Sequence, residues 1–136
     1  MSLAAILMTL SATIVLVLGT AHLGYTFFGP KFHARDPALT QRMKEVSPVI
    51  SGDTTMWNAW VSFNATHSMG AMLFGLVYGG FALTDPAYLF NARWLLAIGA
   101  AMLAGFVLLG ARYWFSVPFR GSVLAFGCYL AAIALR

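Results

Sequence analysis

The sequence predicts an all-α integral membrane protein, a four-helix up-down bundle with a short amphipathic interfacial helix in its first loop. Three observations carry this. Of the 136 residues, 60% are hydrophobic and only 9% are charged, whereas a soluble domain carries about a quarter charged residues. The apolar residues form four continuous runs of roughly 20 residues, the length a helix needs to cross a bilayer. The runs do not alternate with polar residues, which argues against a β-barrel. With their connections they fill the chain, so residues 1–136 are expected to be a single transmembrane domain. Its spans fall at about 3–28, 55–83, 93–112 and 118–135 by length and hydropathy.

Segment one has no Lys or Arg ahead of its apolar run, so it reads as a transmembrane helix rather than a secretory signal. Ser11, Val15, Leu18, His22 and Tyr25 recur along one face of it, with His22 the strongly polar member. Gly29-Pro30 ends the helix, because proline cannot continue the hydrogen-bond ladder. The first loop should hold its own helix at about 36–46, opened by an Asp36 cap and Pro37 at the first helical position. Leu39, Met43 and Val46 make its apolar face, with Arg42, Lys44 and Glu45 towards water. Ser47-Pro48 closes it.

Segment two is the polar one. Trp57, Trp60, Asn64, His67 and Ala71 recur at steps of three and four and share a helical face, with Ser68 beside His67. A carboxamide or imidazole without a partner in hydrocarbon costs several kcal/mol by order of magnitude, so this face must turn away from lipid. Gly75 and Gly79 follow as a small-residue pair for close helix packing. Thr84-Asp85-Pro86 begins a short turn. Segment three carries a second small-residue stripe, Ala97, Ala101 and Gly105, which can seat another helix. Ser116-Val117-Pro118 reads as a tight turn before segment four, whose few polar residues include Ser122, Cys128 and Tyr129.

Eight Lys and Arg residues against four acids give a net charge of +4. The cations are spread over loops and helix ends, where topogenesis and anionic head groups require them, and no basic patch with interleaved aromatics suits nucleic acid. Lys31, Arg35, Arg42, Lys44, Arg112 and Arg120 lie in loops one and three, against Arg93 and Arg136 on the other side. That bias places loops one and three in the cytoplasm and both termini outside. The lone Cys128 allows no internal disulfide.

At 1.5 Å per residue, His22 lies roughly 10 Å inside the end of segment one and His67 roughly 15 to 20 Å inside the start of segment two, from the same membrane face. Antiparallel neighbours would bring His22, Asn64 and His67 together. Polar groups of this kind serve either as glue between helices or as the lining of a pocket. The pocket reading takes His22, Tyr25, Trp57, Trp60, Asn64, His67 and Ser68 as ligand-binding residues for a lipid-, quinone- or pigment-like molecule. An alternative makes His22 and His67 the axial ligands of a b-type haem in an electron-transfer protein. A small proton-coupled transporter is the third reading, but it wants an intramembrane carboxylate, and all four acids fall in loops or at helix ends. No GxSxG or HExxH motif occurs, so no catalytic residue is assigned and no dedicated metal site is expected beyond the haem alternative. His33, among the loop cations, reads as solvated or facing head groups.

The run T-T-M-W-N-A-W-V-S-F-N-A-T-H-S, Thr54 to Ser68, together with His22 ahead of Tyr25-Thr26-Phe27, resembles a family of small four-helix bacterial membrane proteins without an assigned activity. The resemblance implies the same architecture, a multi-pass place in the bacterial inner membrane, and attention to Trp57, Trp60, Asn64 and His67. The expectation is a non-catalytic binding or accessory subunit, docking through its small-residue stripes onto a second copy or a larger membrane complex.

Overall fold

The structure is a computed structural model that describes all of residues 1–136. Its regular structure is all helical: α1 (Leu3–Phe27), α2 (Pro37–Glu45), α3 (Met56–Thr84), α4 (Pro86–Asn91), α5 (Arg93–Tyr113) and α6 (Ser116–Ala134). Three of these, α1, α5 and α6, are long and apolar enough to cross a membrane. The expected fourth span, α3, has ample length at 29 residues. It falls short in hydropathy because Asn58, Asn64, His67 and several hydroxyls dilute its first half.

Local chemistry sets most of the boundaries. Phe28 still donates to the Gly24 carbonyl at 2.9 Å, and Gly29 then takes φ +84°, a left-handed turn that only glycine adopts freely. Asp36 Oδ1 accepts from the Ala38 amide at 2.9 Å and opens α2 with Pro37 behind it. Thr55 Oγ1 caps α3 by accepting from the Asn58 amide at 3.2 Å. The Asp-Pro pair recurs at Asp85-Pro86, where Asp85 Oδ1 accepts from the Tyr88 amide at 2.9 Å. That cap produces the six-residue α4 in place of the expected simple turn. Ser116-Val117-Pro118 also differs from expectation, being the first turn of α6. Proline is tolerated there because first-turn amides have no helical acceptor.

The chain forms two compact units, residues 1–18 with 71–136, and residues 19–70. The first unit holds a core of Met8, Ala12, Val15, Phe74, Leu103, Ala125 and Tyr129. Gly75 and Gly79 are spent inside it: a Cβ on Gly75 would stand 2.6 Å from Leu16 Cβ and 2.8 Å from the Ala12 carbonyl, and one on Gly79 3.3 Å from Ala12 Cβ. Small residues here let α3 approach α1. Ser11 Oγ reaches across to donate to the Ala125 carbonyl at 2.7 Å.

The second stripe behaves differently. Ala97 and Ala101 are exposed, and a Cβ on Gly105 would meet nothing within 4 Å, so these three seat no helix within the chain. The close approach on α5 is instead at Gly99, midway between Ala97 and Ala101 in sequence and therefore on the other side of the helix. Tyr78 Oη donates to the Leu95 carbonyl at 2.6 Å and Tyr129 Oη to the Leu96 carbonyl at 2.9 Å, and both hydroxyls lie where a Cβ on Gly99 would go. Phe74, Tyr78 and Tyr129 cluster with ring centroids 4.4 to 6.1 Å apart, Phe74 stacked on Tyr78 and the two tyrosines edge to face. Meanwhile Leu73, Leu76, Trp94, Ile98, Leu108, Leu124 and Leu130 are exposed. Apolar exposure on this scale is foreign to a soluble monomer and natural to a lipid-facing surface.

Gly99→Ala drives a methyl group into two buried tyrosines, and overpacking of this kind costs about 1 to 3 kcal/mol. Gly105→Ala meets open space and gains up to about 1 kcal/mol of helix propensity. Thermal unfolding in detergent should therefore fall for the first and hold or rise for the second. Equal effects would mean that the tyrosine contacts at Gly99 carry no weight.

Candidate functional site

The polar centre lies in the second unit. His22, within the last two turns of α1, presents Nε2 to Asn64 Oδ1 of α3 at 2.9 Å. Asn64 is only 5% exposed. Its other amide atom is also committed, since Asn64 Nδ2 donates to the Trp60 carbonyl one turn back at 2.8 Å. Its backbone carbonyl in turn accepts from the buried Ser68 Oγ at 2.8 Å.

These contacts determine the protonation pattern of the imidazole. A backbone carbonyl only accepts, so the nitrogen of the Asn64 amide must face Trp60 and the oxygen must face His22. A carboxamide oxygen also only accepts, so His22 Nε2 carries the proton. In the neutral ring Nδ1 is then left as a hydrogen-bond acceptor. Asn64 thus works as an orienting group, itself held by the helix, that selects one tautomer of a half-buried histidine.

Aromatic rings surround this pair. The His67 ring meets the His22 ring edge-on, with centroids 5.3 Å apart and planes at 70°. Phe63, one turn before His67, lies nearly parallel to it at 6.4 Å. From the first loop, Phe32 packs on His22 with centroids 4.5 Å apart. The Phe32 carbonyl accepts from Trp60 Nε1 at 3.1 Å, which ties the loop to α3 beside the histidines. Trp60 keeps 39% of its surface exposed and Phe63 is exposed as well, so two aromatic rings next to the centre lie at the surface.

The expected site residues therefore divide. His22, Trp60, Asn64, His67 and Ser68 come together. Trp57 and Tyr25 stand apart from them among the loop cations: Trp57 meets the His33 ring at 4.9 Å with Lys44 Nζ 5.3 Å from its centroid, and Tyr25 lies 4.2 Å under Lys31 Nζ. Sequence reasoning missed Phe63 and Phe32. Phe63 stands four residues before His67, so helical spacing held its signal. Phe32 comes from an irregular loop, which has no period to read.

No group of three or more His, Cys, Asp or Glu residues is placed to hold a metal ion. Among known proteins, no family model matches the chain, and no curated protein or solved structure matches it significantly. The arrangement of its own side chains is what bears on function.

The tautomer can be observed directly. Imidazole 15N resonances should report His22 protonated at Nε2 and bare at Nδ1, and Asn64→Leu should abolish that preference. A ring protonated at Nδ1 in the wild-type protein would contradict the hydrogen-bond assignment.

Proposed function

We propose that the chain is a four-span inner-membrane protein whose His22, Asn64 and His67 centre binds an amphipathic small molecule, a lipid-, quinol- or pigment-like compound with an apolar body and a hydroxyl-bearing head. In this reading α3 is the fourth span of an up-down bundle, with α2 on the membrane surface and loops one and three in the cytoplasm. Its face with Asn64, His67 and Ser68 is turned inwards, as the burial of Asn64 and Ser68 supports. The exposed Leu39 and half-exposed Met43 and Val46 at α2 suit a helix whose apolar face rests on lipid. The likeness of Thr54–Ser68 to small bacterial four-helix proteins points the same way.

The observation that carries the binding reading is the 2.9 Å bond from His22 Nε2 to Asn64 Oδ1, whose orientation is held by the bond from Nδ2 to the Trp60 carbonyl. Packing alone asks only that each polar group find a partner. Here one imidazole nitrogen is fixed as a donor and the other left as an acceptor, in a half-buried ring flanked by the rings of Phe32 and His67, which Trp60 and Phe63 pack against in turn. A hydroxyl donating to Nδ1 completes the set, while the rings take the apolar body.

The b-type haem alternative fits less well. Two axial imidazoles must each aim a nitrogen at one iron from opposite sides, at about 2 Å per bond for a metal–imidazole contact. His22 instead engages Asn64 with Nε2, and the two rings meet edge-on at 5.3 Å. Proton-coupled transport would need an intramembrane carboxylate, and every acid lies in a loop or at a helix end.

Protein extracted from native membranes and subjected to solvent extraction with mass spectrometry should release a copurifying amphipathic compound. His22→Ala and Asn64→Leu should each reduce its recovery by about tenfold, the equivalent of losing one charge-free hydrogen bond and its orienting partner. Unchanged ligand recovery from folded variants would reduce the centre to helix glue. A Soret band lost in His67→Ala would replace the proposal with haem.

A further inference from the structure

The first loop holds a second feature, separate from the histidine centre. Between the end of α1 and the exposed side of α2, the chain curves around an open cavity of about 580 Å3, lined by Lys31, His33, Arg35, Thr40, Gln41 and Lys44 among others. Ordinary small-molecule sites span roughly 300 to 1,000 Å3, so the cavity is of a size to hold one.

The charge on its wall is one-sided. Lys31, Arg35 and Lys44 bring three cations to the wall, and no carboxylate lines it. Both nearby acids are occupied elsewhere. Asp36 caps α2 through the Ala38 amide, and Glu45 accepts from Gln41 Nε2 at 2.9 Å and pairs with Arg42 at 3.4 Å. None of the three cations on the wall is ion-paired, since the loop's ion pair is Arg42 with Glu45.

Aromatic rings set the positions of two of these cations without neutralising them. Lys31 Nζ stands 4.2 Å from the centroid of the Tyr25 ring, and Lys44 Nζ 5.3 Å from that of Trp57, which also takes the edge of His33 at 4.9 Å. Tyr25 and Trp57, which do not reach the histidine centre, thus have a place here. Buried Thr40 steadies the wall from below, its hydroxyl accepting from the Ala34 amide at 3.1 Å.

We propose that this cavity binds a phosphate-ester group, with the head of an anionic phospholipid as the source that its surroundings favour. Three cations on one wall, none of them ion-paired, call for a multiply accepting anion. The cavity is larger than inorganic phosphate needs and suits a phosphodiester with its glycerol. In the sequence flanking the cavity's lining residues, Phe27 and Phe28 at the end of α1 and Val49 and Ile50 beyond α2 are exposed, apolar side chains that acyl chains could cover. This site does not depend on what the histidine centre binds.

The test uses the full chain in a neutral detergent, with native mass spectrometry and titration against phosphatidylglycerol, phosphatidylcholine and inorganic phosphate. Phosphatidylglycerol should bind in preference to phosphatidylcholine. The triple variant Lys31→Gln, Arg35→Gln, Lys44→Gln should weaken that binding by more than about tenfold, as expected for several cations near an anionic head group. A control triple of equal charge loss, Arg93→Gln, Arg112→Gln, Arg120→Gln, should change it by less than about twofold. Thermal unfolding of both variants separates loss of the site from loss of the fold. Inorganic phosphate that competes with the lipid and is lost in the same loop variant would keep the site and assign it to a soluble phosphate. Equal weakening in both triples, or no preference for either phosphate-bearing anion over phosphatidylcholine, would overturn the proposal.

Discussion

Asn64 is buried away from solvent, so the chain itself must supply its bonds, and the arrangement around His22 follows from that need. Its amide nitrogen is held by the Trp60 carbonyl, its oxygen by His22, and its backbone carbonyl by Ser68. Each bond taken alone is worth about 1 kcal/mol or less in a membrane protein. Leaving the same groups unpaired costs more than making the bonds gains, so the penalty rather than the gain dictates the arrangement. Its consequence is chemical: because a carbonyl cannot donate, the chain of bonds runs in one direction and reaches His22 with its proton position decided.

The same constraint organises the first unit with different residues. Two tyrosine hydroxyls buried in an apolar core need acceptors, and they find them in the backbone of α5 at Leu95 and Leu96. A carbonyl inside a helix already accepts from an amide, but it has a second lone pair, and Gly99 clears the space for the hydroxyls to reach it. Ser11 meets its own burial by the same device, reaching the Ala125 carbonyl. Polar side chains thus bind backbone already committed to helices, so no irregular segment is needed within the apolar region.

At the loop the constraint is reversed. Its side chains are largely exposed, and there the chain gathers charge instead of cancelling it. Asp36 and Glu45 are turned to capping and to a local pair on α2, while Lys31 and Lys44 are braced by aromatic rings. A ring steadies a cation without removing its charge, which an acid cannot do. The loop therefore presents an open cavity with three cations on its wall.

Composition and periodicity determined that this is a helical chain with apolar helices of membrane-spanning length, because the scale of the hydrophobic runs leaves few other solutions. Capping chemistry determined where α2 begins and where α1 stops, and helical spacing placed Asn64, His67 and Ser68 on one face, because these effects act within a turn or two of the chain. Other features lay beyond that range. The order of the hydrogen bonds through Asn64, the approach of Phe32 to His22, the choice of Gly99 over Ala97, Ala101 and Gly105 for close packing, and the placing of Trp57 and Tyr25 with the loop cations rather than with His22 and His67 were decided only by the tertiary structure. Each depends on which side chain from a distant segment arrives opposite a given position, and no local pattern in the sequence records that.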